Sequence, residues 1–257
     1  MRKLAFALLA LGMGFASTPS MAASLVYDTF TYPAGNLVPN GGWANYSGVA
    51  TDIQVTGAGK ASIIPANAND DHILFAPQST TTKSYACFDV TVGQLAAAPK
   101  AVYFAELKDA GAANLVSRVY VLPVAGGWTL GISHSSTSAT AGVTPWPVAL
   151  SSDVVYHVVI NYDPVAKSST LWVNPATEAS PSVTNTNASI AALAVSGFGL
   201  RQSTTASTLP ASPPYAGTAD ANVLVDNLGV GVSMVDACEI PTPAKPATWG
   251  SVKGLYR

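Results

Sequence analysis

The chain has 257 residues, of which 49% are hydrophobic and 10% are charged, and its formal net charge at pH 7 is −2. The charged fraction lies far below the ~25% that is usual for globular domains. No basic stripe is present, which excludes nucleic acid as a partner. Valine, threonine and small residues dominate instead, a composition that favours strands and turns over a helical bundle.

Residues 1–23 are typical of a secretory signal peptide. Arg2 and Lys3 precede an apolar run that is too short to span a bilayer, and small residues follow near Ala22 and Ala23, where cleavage is expected. A membrane anchor would need about 20 apolar residues. We therefore expect a bacterial protein that is secreted, periplasmic or held at the cell surface, with no membrane span after signal cleavage.

Residues 24–240 show short strand-like runs separated by turn residues. The runs lie at 25–31, 52–57, 85–92, 101–109, 115–124, 127–135, 154–163, 169–175, 195–202 and 222–233. Short strands at this spacing predict an all-β fold, a two-sheet antiparallel β-sandwich or jelly roll. Residues 241–257 begin with "PTPAKP" and are interpreted as a proline-rich linker and a short C-terminal tail.

The clearest hairpin is predicted at 154–175, where two alternating runs flank the turn "DPVAKS". Both faces of this hairpin carry large side chains. We therefore expect one face to pack in the core and the other to line a concave surface.

Cys87 and Cys238 are the two cysteines of the chain, and neither has neighbours at metal-ligand spacing. In an oxidising compartment an even pair is more often a disulfide than two free thiols. The pairing would pin the end of the chain to the sandwich.

Three segments, in this order, resemble secreted bacterial proteins with a concanavalin A-like lectin/glucanase (LamG-like) sandwich. They are "YDTFTYPAGNLVPNGGW" at 27–43, "INYDPVAKSSTLWVNP" at 160–175 and "VLVDNLGVGV" at 223–232. The likeness covers residues 25–233. It implies two stacked antiparallel sheets, a concave sheet that often holds glycans, and frequently a structural calcium ion.

The glycosidases of that family carry three carboxylates on one strand, in the order Glu-x-Asp-x-x-Glu, and two of them perform the acid–base and nucleophilic steps. Here Glu106 is followed by Lys108 at the second position and Gly111 at the fifth. This strand therefore lacks the second and third carboxylates that the family mechanism needs, and we predict that the protein is not an enzyme. Glu106 is interpreted as a solvated surface carboxylate paired with Lys108.

Several aromatic and polar residues could instead form a groove that binds a glycan. Aromatic faces stack on sugar rings, and the side chains of arginine and asparagine donate hydrogen bonds to sugar hydroxyls. The candidate ligand-binding residues are Arg118, Tyr120, Trp128, Trp172 and Asn174. For each tryptophan taken alone, an ordinary place in the sandwich core is the preferred interpretation.

Asp28 and Asp226 both fall within apolar stripes if their strands alternate strictly. A carboxylate in such a stripe needs N–H groups or a cation as partners. The resemblance implies that the first and last strands lie close together, so a structural Ca²⁺ held by the two aspartates is one expectation. Hydrogen bonding to loop amides without metal is the other.

The sequence thus favours a secreted, non-catalytic protein that binds a glycan or polysaccharide or acts at the cell surface. A structural component of a surface coat or fibre, formed by self-assembly, is one alternative. A glycan-active enzyme with an unrecognised site is another. The sandwich itself is a weak guide among them, because one fold serves many functions.

Overall fold

The computed structural model describes residues 24–49, 51–64, 69–93, 102–134, 142–202 and 223–239. The predicted signal peptide and the predicted C-terminal linker and tail lie outside these residues. The strands are β1 (Val26–Asp28), β2 (Gly35–Asn36), β3 (Trp43–Ser47), β4 (Gln54–Val55), β5 (Ala61–Ile63), β6 (Asp70–Leu74), β7 (Ser84–Val92), β8 (Val102–Lys108), β9 (Leu115–Val124), β10 (Gly127–Ser133), β11 (Thr144–Pro145), β12 (Val155–Asp163), β13 (Ser168–Val173), β14 (Val183–Thr186), β15 (Gly197–Arg201) and β16 (Val223–Gly231). A short 3-10 helix spans Asn40–Gly42, and helix α1 spans Met234–Cys238.

The strands form two antiparallel sheets, as the sequence predicts. The nine-stranded sheet has the order β14-β13-β12-β7-β16-β5-β4-β2, and β1 pairs with β16 beside this path. The seven-stranded sheet has the order β11-β10-β9-β8-β15-β6-β3. Many neighbours are distant in sequence, so the sheets depend on long-range pairing.

The two sheets pack face to face around one core. Phe88 of the nine-stranded sheet contacts Phe104 edge-on at 6.3 Å between ring centroids and Phe198 at 5.7 Å, and both partners belong to the seven-stranded sheet. Alternation along each strand sends one set of apolar side chains into this layer. The protein is therefore an all-β, two-sheet sandwich.

The predicted hairpin is formed by β12 and β13, which pair from Val158 opposite Val173 to Asp163 opposite Ser168. Val158 and Leu171 face the core. The opposite face does not line a concave surface, because it is covered by α1.

Strand β16 is irregular between Asp226 and Gly229, where Asn227 adopts a left-handed φ of 51°. The extra residue changes which side chains face inward: Val225 and Leu228 both lie in the core. Asp226 therefore points to the outer face. The prediction that it shares a face with Leu228 is wrong, because strict alternation ignores the bulge.

Helix α1 lies on the outer face of the nine-stranded sheet. Ser233 begins it as an N-cap whose hydroxyl accepts from the Asp236 N–H at 3.1 Å. Cys238 at its end forms the predicted disulfide with Cys87 of β7, with 5.3 Å between the Cα atoms. Gly229 has to lack a side chain here, because a Cβ would clash with the Ala237 carbonyl oxygen.

Among the described residues, neither α1 nor any other helix has the length and apolar character that crossing a bilayer requires.

Candidate functional site

The five residues predicted to line a glycan groove do not converge. Trp128 is fully buried in the core between the sheets. Trp172 lies beneath α1 on the outer face of the nine-stranded sheet, and Asn174 follows at the exposed end of that strand. Arg118 and Tyr120 share the outer face of the other sheet. The predicted groove is wrong because alternation gives the face of a side chain but not the sheet that its strand joins.

The two aspartates predicted to hold calcium lie on opposite faces of the nine-stranded sheet. Both carboxylate oxygens of Asp28 already accept hydrogen bonds, from Phe30 N at 2.7 Å, Tyr32 OH at 2.9 Å and Trp43 Nε1 at 2.7 Å. These three donors satisfy Asp28 without a cation, and a structural calcium ion stays a prediction. The hydrogen-bonded alternative accounts for its burial.

A different set of side chains gathers on the outer face of the seven-stranded sheet. We call this set the polar cluster. Its members are Tyr46, Asp70, His72, Tyr103, Glu106, Lys108, Arg118, Tyr120 and Arg201. They come from β3, β6, β8, β9 and β15, which are neighbours in the sheet. Arg118 and Tyr120 belong to both the predicted groove and this cluster.

Tyr46 enters the cluster through an irregularity in β3. The pairing of β3 with β6 shifts between Asn45 and Ser47, so Tyr46 is an extra residue whose side chain reaches across the sheet. Its hydroxyl donates a short hydrogen bond to Oε1 of Glu106. Burial, and then the charge of Glu106, raises the pKa of Tyr46, which keeps this hydroxyl protonated as a donor.

Lys108 and His72 form the second contact of the cluster. The Lys108 Nζ lies 2.9 Å from His72 Nδ1 and 4.4 Å from the centre of the Tyr46 ring. The His72 ring stacks on Tyr46 at 5.2 Å. Burial, helped by the charge of Lys108, lowers the pKa of His72 to about 4, so the imidazole is neutral at pH 7 and accepts from the ammonium group.

Two arginines flank Tyr103. The Cζ atoms of Arg118 and Arg201 lie 4.9 Å and 4.2 Å from the centre of its ring, and the ring of Tyr120 lies 5.4 Å away. Nε of Arg201 lies 3.7 Å from a carboxylate oxygen of Asp70. Guanidinium groups over an aromatic face are attractive, the more so when water is excluded.

Gly199 makes room for this arrangement. It lies opposite Glu106 in the pairing of β15 with β8. A Cβ at this position would clash with the Glu106 carboxylate and would lie 3.2 Å from Cδ of Lys108. The glycine therefore allows both charged side chains to lie flat across β15.

Glu106 is not a surface carboxylate: it has 0% exposure, as has Lys108. The prediction of a solvated pair is wrong because side chains from β3, β6 and β9 converge over this part of β8. Burial raises the pKa of Glu106 to about 7, aided by the charge of Asp70 and opposed by the Tyr46 hydrogen bond and the two arginines. Its Oε2 has no hydrogen-bond partner among the described residues.

The rim of the cluster is more accessible than its centre. Tyr46 and Tyr103 are half-buried, and the side chain of Arg201 is 12% exposed. Tyr103 and Tyr120 also pack with Leu122 and Val143 as a small apolar patch. The rim thus offers half-buried aromatic and apolar surface and a cationic donor, above a buried carboxyl group that gains or loses a proton near neutral pH.

Five residues of the cluster were not among the predicted site residues: Tyr46, Asp70, His72, Tyr103 and Arg201. One signal was available in "GFGLR" at 197–201, where glycine alternates with core residues. Glycines on one face of a strand mark a place where other groups approach its backbone closely. That signal predicts a crowded outer face without naming the groups that crowd it.

No family model matches the chain, and no curated protein matches it. Solved structures do. A sialidase shares 13% identity at a TM-score of 0.54, over 81% of this chain and 19% of the sialidase chain. The CBM2 module of the evolved Dit of Lactobacillus casei BL23 phage J-1 shares 13% identity at a TM-score of 0.50, over 81% and 94%. The alginate lyase A1-II', of polysaccharide lyase family-7, shares 11% identity at 0.46, over 70% and 83%.

At such low identity the likeness establishes the fold alone, and this conclusion rests on the sialidase and the CBM2 module. The β-sandwich is confirmed, whereas the narrower LamG-like assignment stays a prediction. This chain spans 19% of the sialidase that it resembles, so the activity of that whole protein is not transferred with the fold.

Proposed function

We propose that the protein binds a carbohydrate at the polar cluster, without cleaving it. The observation that carries the proposal is the burial of Glu106 and Lys108 on an outer sheet face. Such faces normally present solvated polar side chains. Taking a charge out of water costs on the order of several kcal/mol even in favourable surroundings. Departures of this kind, and the perturbed pKa values that accompany them, concentrate at functional sites.

The chemistry of the rim favours a sugar. Tyr103 adds a half-buried aromatic ring beside the small apolar patch, and the guanidinium group of Arg201 at the rim fixes hydrogen-bond directions. Sugar rings have one apolar face and a girdle of hydroxyls, so they match sites that combine aromatic rings with placed polar groups. Oε2 of Glu106 is buried beneath this rim without a hydrogen-bond partner among the described residues, so its charge acts on a ligand through Tyr46 and the two arginines rather than by direct contact.

The shared fold supports testing carbohydrates first. The two structures with the higher TM-scores are a sialidase and a CBM2 module, and CBM denotes a carbohydrate-binding module. This support is an analogy between folds rather than between sites. The LamG-like resemblance of the sequence points to the same ligand class, and a location outside the cytoplasm is part of the proposal.

A glycan-active enzyme is the second candidate, and one observation favours it. Glu106 combines a pKa of about 7 with a hydrogen bond from Tyr46, and Asp70 supplies a second carboxylate in its electrostatic neighbourhood. General acids and bases work best with pKa values near the operating pH. Binding comes first because Glu106 is fully buried and its own strand supplies no second carboxylate.

Binding is tested with the mature chain on an array of neutral and acidic oligosaccharides, followed by titration calorimetry with the best ligand. Arg201→Gln removes a cation at the rim of the cluster. Lys83→Gln is the matched control, because it removes a cation whose side chain is 47% exposed near Asp163, on the other sheet. We expect Arg201→Gln to weaken binding at least ~10-fold, which corresponds to one charge-assisted hydrogen bond.

Lys83→Gln should leave the affinity within roughly twofold of the wild type. Absence of binding to every glycan would refute the proposal, as would equal affinities in Arg201→Gln and the wild type. The second candidate is tested by incubating the protein with the bound glycan. New reducing ends and the absorbance of unsaturated products are then assayed. If the wild type releases product and Glu106→Gln does not, the protein is the glycan-active enzyme rather than a binding protein.

A further inference from the structure

Three side chains lie in line on the outer face of the nine-stranded sheet, away from the polar cluster. Nδ1 of His157 lies 2.8 Å from Oδ1 of Asp89, and Nε2 of the same ring lies 3.1 Å from Sγ of Cys87. Nδ2 of Asn227 donates to the other Asp89 oxygen at 2.8 Å. The imidazole is thus held between a fixed carboxylate and one sulfur of the Cys87–Cys238 disulfide.

The sheet register builds this line. His157 of β12 lies directly opposite Asp89 of β7, and Cys87 lies two residues earlier on the same face of β7. The bulge in β16 turns Asn227 toward Asp89. At the end of the hairpin, Oδ1 of Asn174 accepts from the His157 N–H at 2.8 Å. The position of the ring is therefore fixed by groups on three strands, β7, β12 and β16.

The two sulfurs differ in their exposure. Cys87 is 1% exposed, whereas Cys238 is half-buried at the end of α1. An open cavity of roughly 310 Å³ reaches Cys238 and is lined also by His157, Met234, Thr177 and Glu178. A small thiol that enters this cavity meets the sulfur of Cys238 first.

We propose that Cys87–Cys238 is a thiol-reactive disulfide at which an external thiol forms a mixed disulfide with Cys238 while Cys87 leaves beside His157. The S–S bond between the two cysteines breaks as a new one forms between the external sulfur and Cys238. The external thiol is oxidised and Cys87 is reduced. The proton of the external thiol ends on the pair of Cys87 and His157. A second thiol can release Cys238 and leave as the oxidised external disulfide.

The reason for this direction is the stability of the leaving group. Thiol–disulfide exchange is faster when the departing sulfur is the better-stabilised thiolate, and a neighbouring histidinium stabilises a thiolate strongly. The hydrogen bond from His157 lowers the pKa of Asp89, and this carboxylate holds Nδ1 of the ring so that Nε2 faces the sulfur of Cys87. His157 contacts the leaving sulfur, and Asp89 positions His157.

Helix α1 has other anchors that hold it while the disulfide is open. Met234 and Ala237 pack into a buried cluster with Trp172 and Val159. The backbone of α1 also lies directly on the glycine of β16 at position 229. We therefore expect the mixed disulfide to form on the folded protein.

The oxidised, mature protein is incubated with reduced glutathione, quenched by alkylation and mapped by mass spectrometry of its peptides. We expect glutathione on Cys238 and alkylation on Cys87. We also expect His157→Gln to form the adduct roughly 10-fold more slowly than the wild type. The rate of adduct formation in Asp89→Asn should lie between those of His157→Gln and the wild type. Val235→Ala is the control, because it alters an exposed residue of the same cavity and should react at the wild-type rate.

The site of modification is read in the wild type alone, so this result does not depend on whether a variant folds. Glutathione found mainly on Cys87, or absence of any adduct on the folded protein, would overturn the proposal. Equal rates in His157→Gln and the wild type, with equal melting temperatures of the oxidised forms, would also overturn it. None of these outcomes bears on carbohydrate binding, which concerns the other sheet.

Discussion

Replacing Glu106 by glutamine should change how stability depends on pH. The pKa of Glu106 is raised from an ordinary 4.5 to about 7. The folded protein therefore holds this proton over a range of pH in which the unfolded chain has lost it. The contribution of this group is fully present below pH 4.5 and is lost as pH rises through about 7.

The magnitude follows from that pKa difference. Each pH unit between the folded and unfolded pKa values is worth about 1.4 kcal/mol, so ionisation of Glu106 should lower the free energy of unfolding by roughly 3 kcal/mol between pH 4.5 and pH 8. Since Glu106 has 0% exposure, solvent screening does not reduce this value much. Glutamine keeps the shape and an acceptor for Tyr46 but cannot ionise. The free energy of unfolding of Glu106→Gln should therefore not fall by this amount between pH 4.5 and pH 8.

The assay is urea unfolding of both proteins at pH 4.5, 6 and 8. Burial also raises the pKa of Asp71 to about 6 and lowers that of His72 to about 4, with opposite effects on stability. Both residues are present in both proteins, so the difference between the curves isolates Glu106. Glu239→Gln, at an exposed position, controls for loss of a carboxylate. Parallel curves for Glu106→Gln and the wild type would refute the reasoning that Glu106 is buried as a carboxyl of raised pKa.

Three further predictions concern other parts of the structure. Gly199→Ala should destabilise the protein by about 1–3 kcal/mol in urea, because its methyl group would displace the Glu106 carboxylate; wild-type stability would show that the cluster is loosely packed. Trp172→Ala should cost about 3–5 kcal/mol by opening a cavity beneath α1, with glycan affinity within roughly twofold of wild type by calorimetry; a larger loss of affinity would move the site to the other sheet. Chelation with EDTA should leave the melting temperature unchanged, since protein donors already satisfy Asp28; a fall reversed by Ca²⁺ would restore the calcium prediction.

The parts of the fold that depend on local pattern could be predicted. The hairpin of β12 and β13 alternates cleanly, and Asp163 closes its turn by accepting from Val165 N at 3.0 Å and Ala166 N at 2.8 Å. The disulfide followed from the number of cysteines and the predicted compartment, because only one intramolecular pairing exists for Cys87 and Cys238.

The candidate site could not be predicted, because the strands that complete it carry no strand signal. Strand β6 reads "DDHIL" and β3 reads "WANYS", and neither alternates apolar with polar residues in the expected way. These two strands nevertheless deliver Tyr46, Asp70 and His72 to Glu106. Their partners lie far away in the sequence, so only long-range pairing brings the charges together and removes them from water.

The same reason explains why Trp172 was assigned to the wrong surface. The alternation of β13 puts Trp172 opposite its core residues, as the structure also has it. What the pattern cannot give is that β13 joins the nine-stranded sheet while β9, with Arg118, joins the other. Sheet membership arises from tertiary pairing, which a single sequence does not display.

The most direct test of carbohydrate binding is a crystal structure of the mature protein with the oligosaccharide that binds most tightly on the array. We expect a sugar ring against Tyr103, with its hydroxyls within hydrogen-bond distance of Arg201 and near Tyr46, on the outer face of the seven-stranded sheet. A sugar bound on the nine-stranded sheet would contradict the site, whereas a glycan array without a single ligand would contradict binding itself and favour the surface-coat alternative.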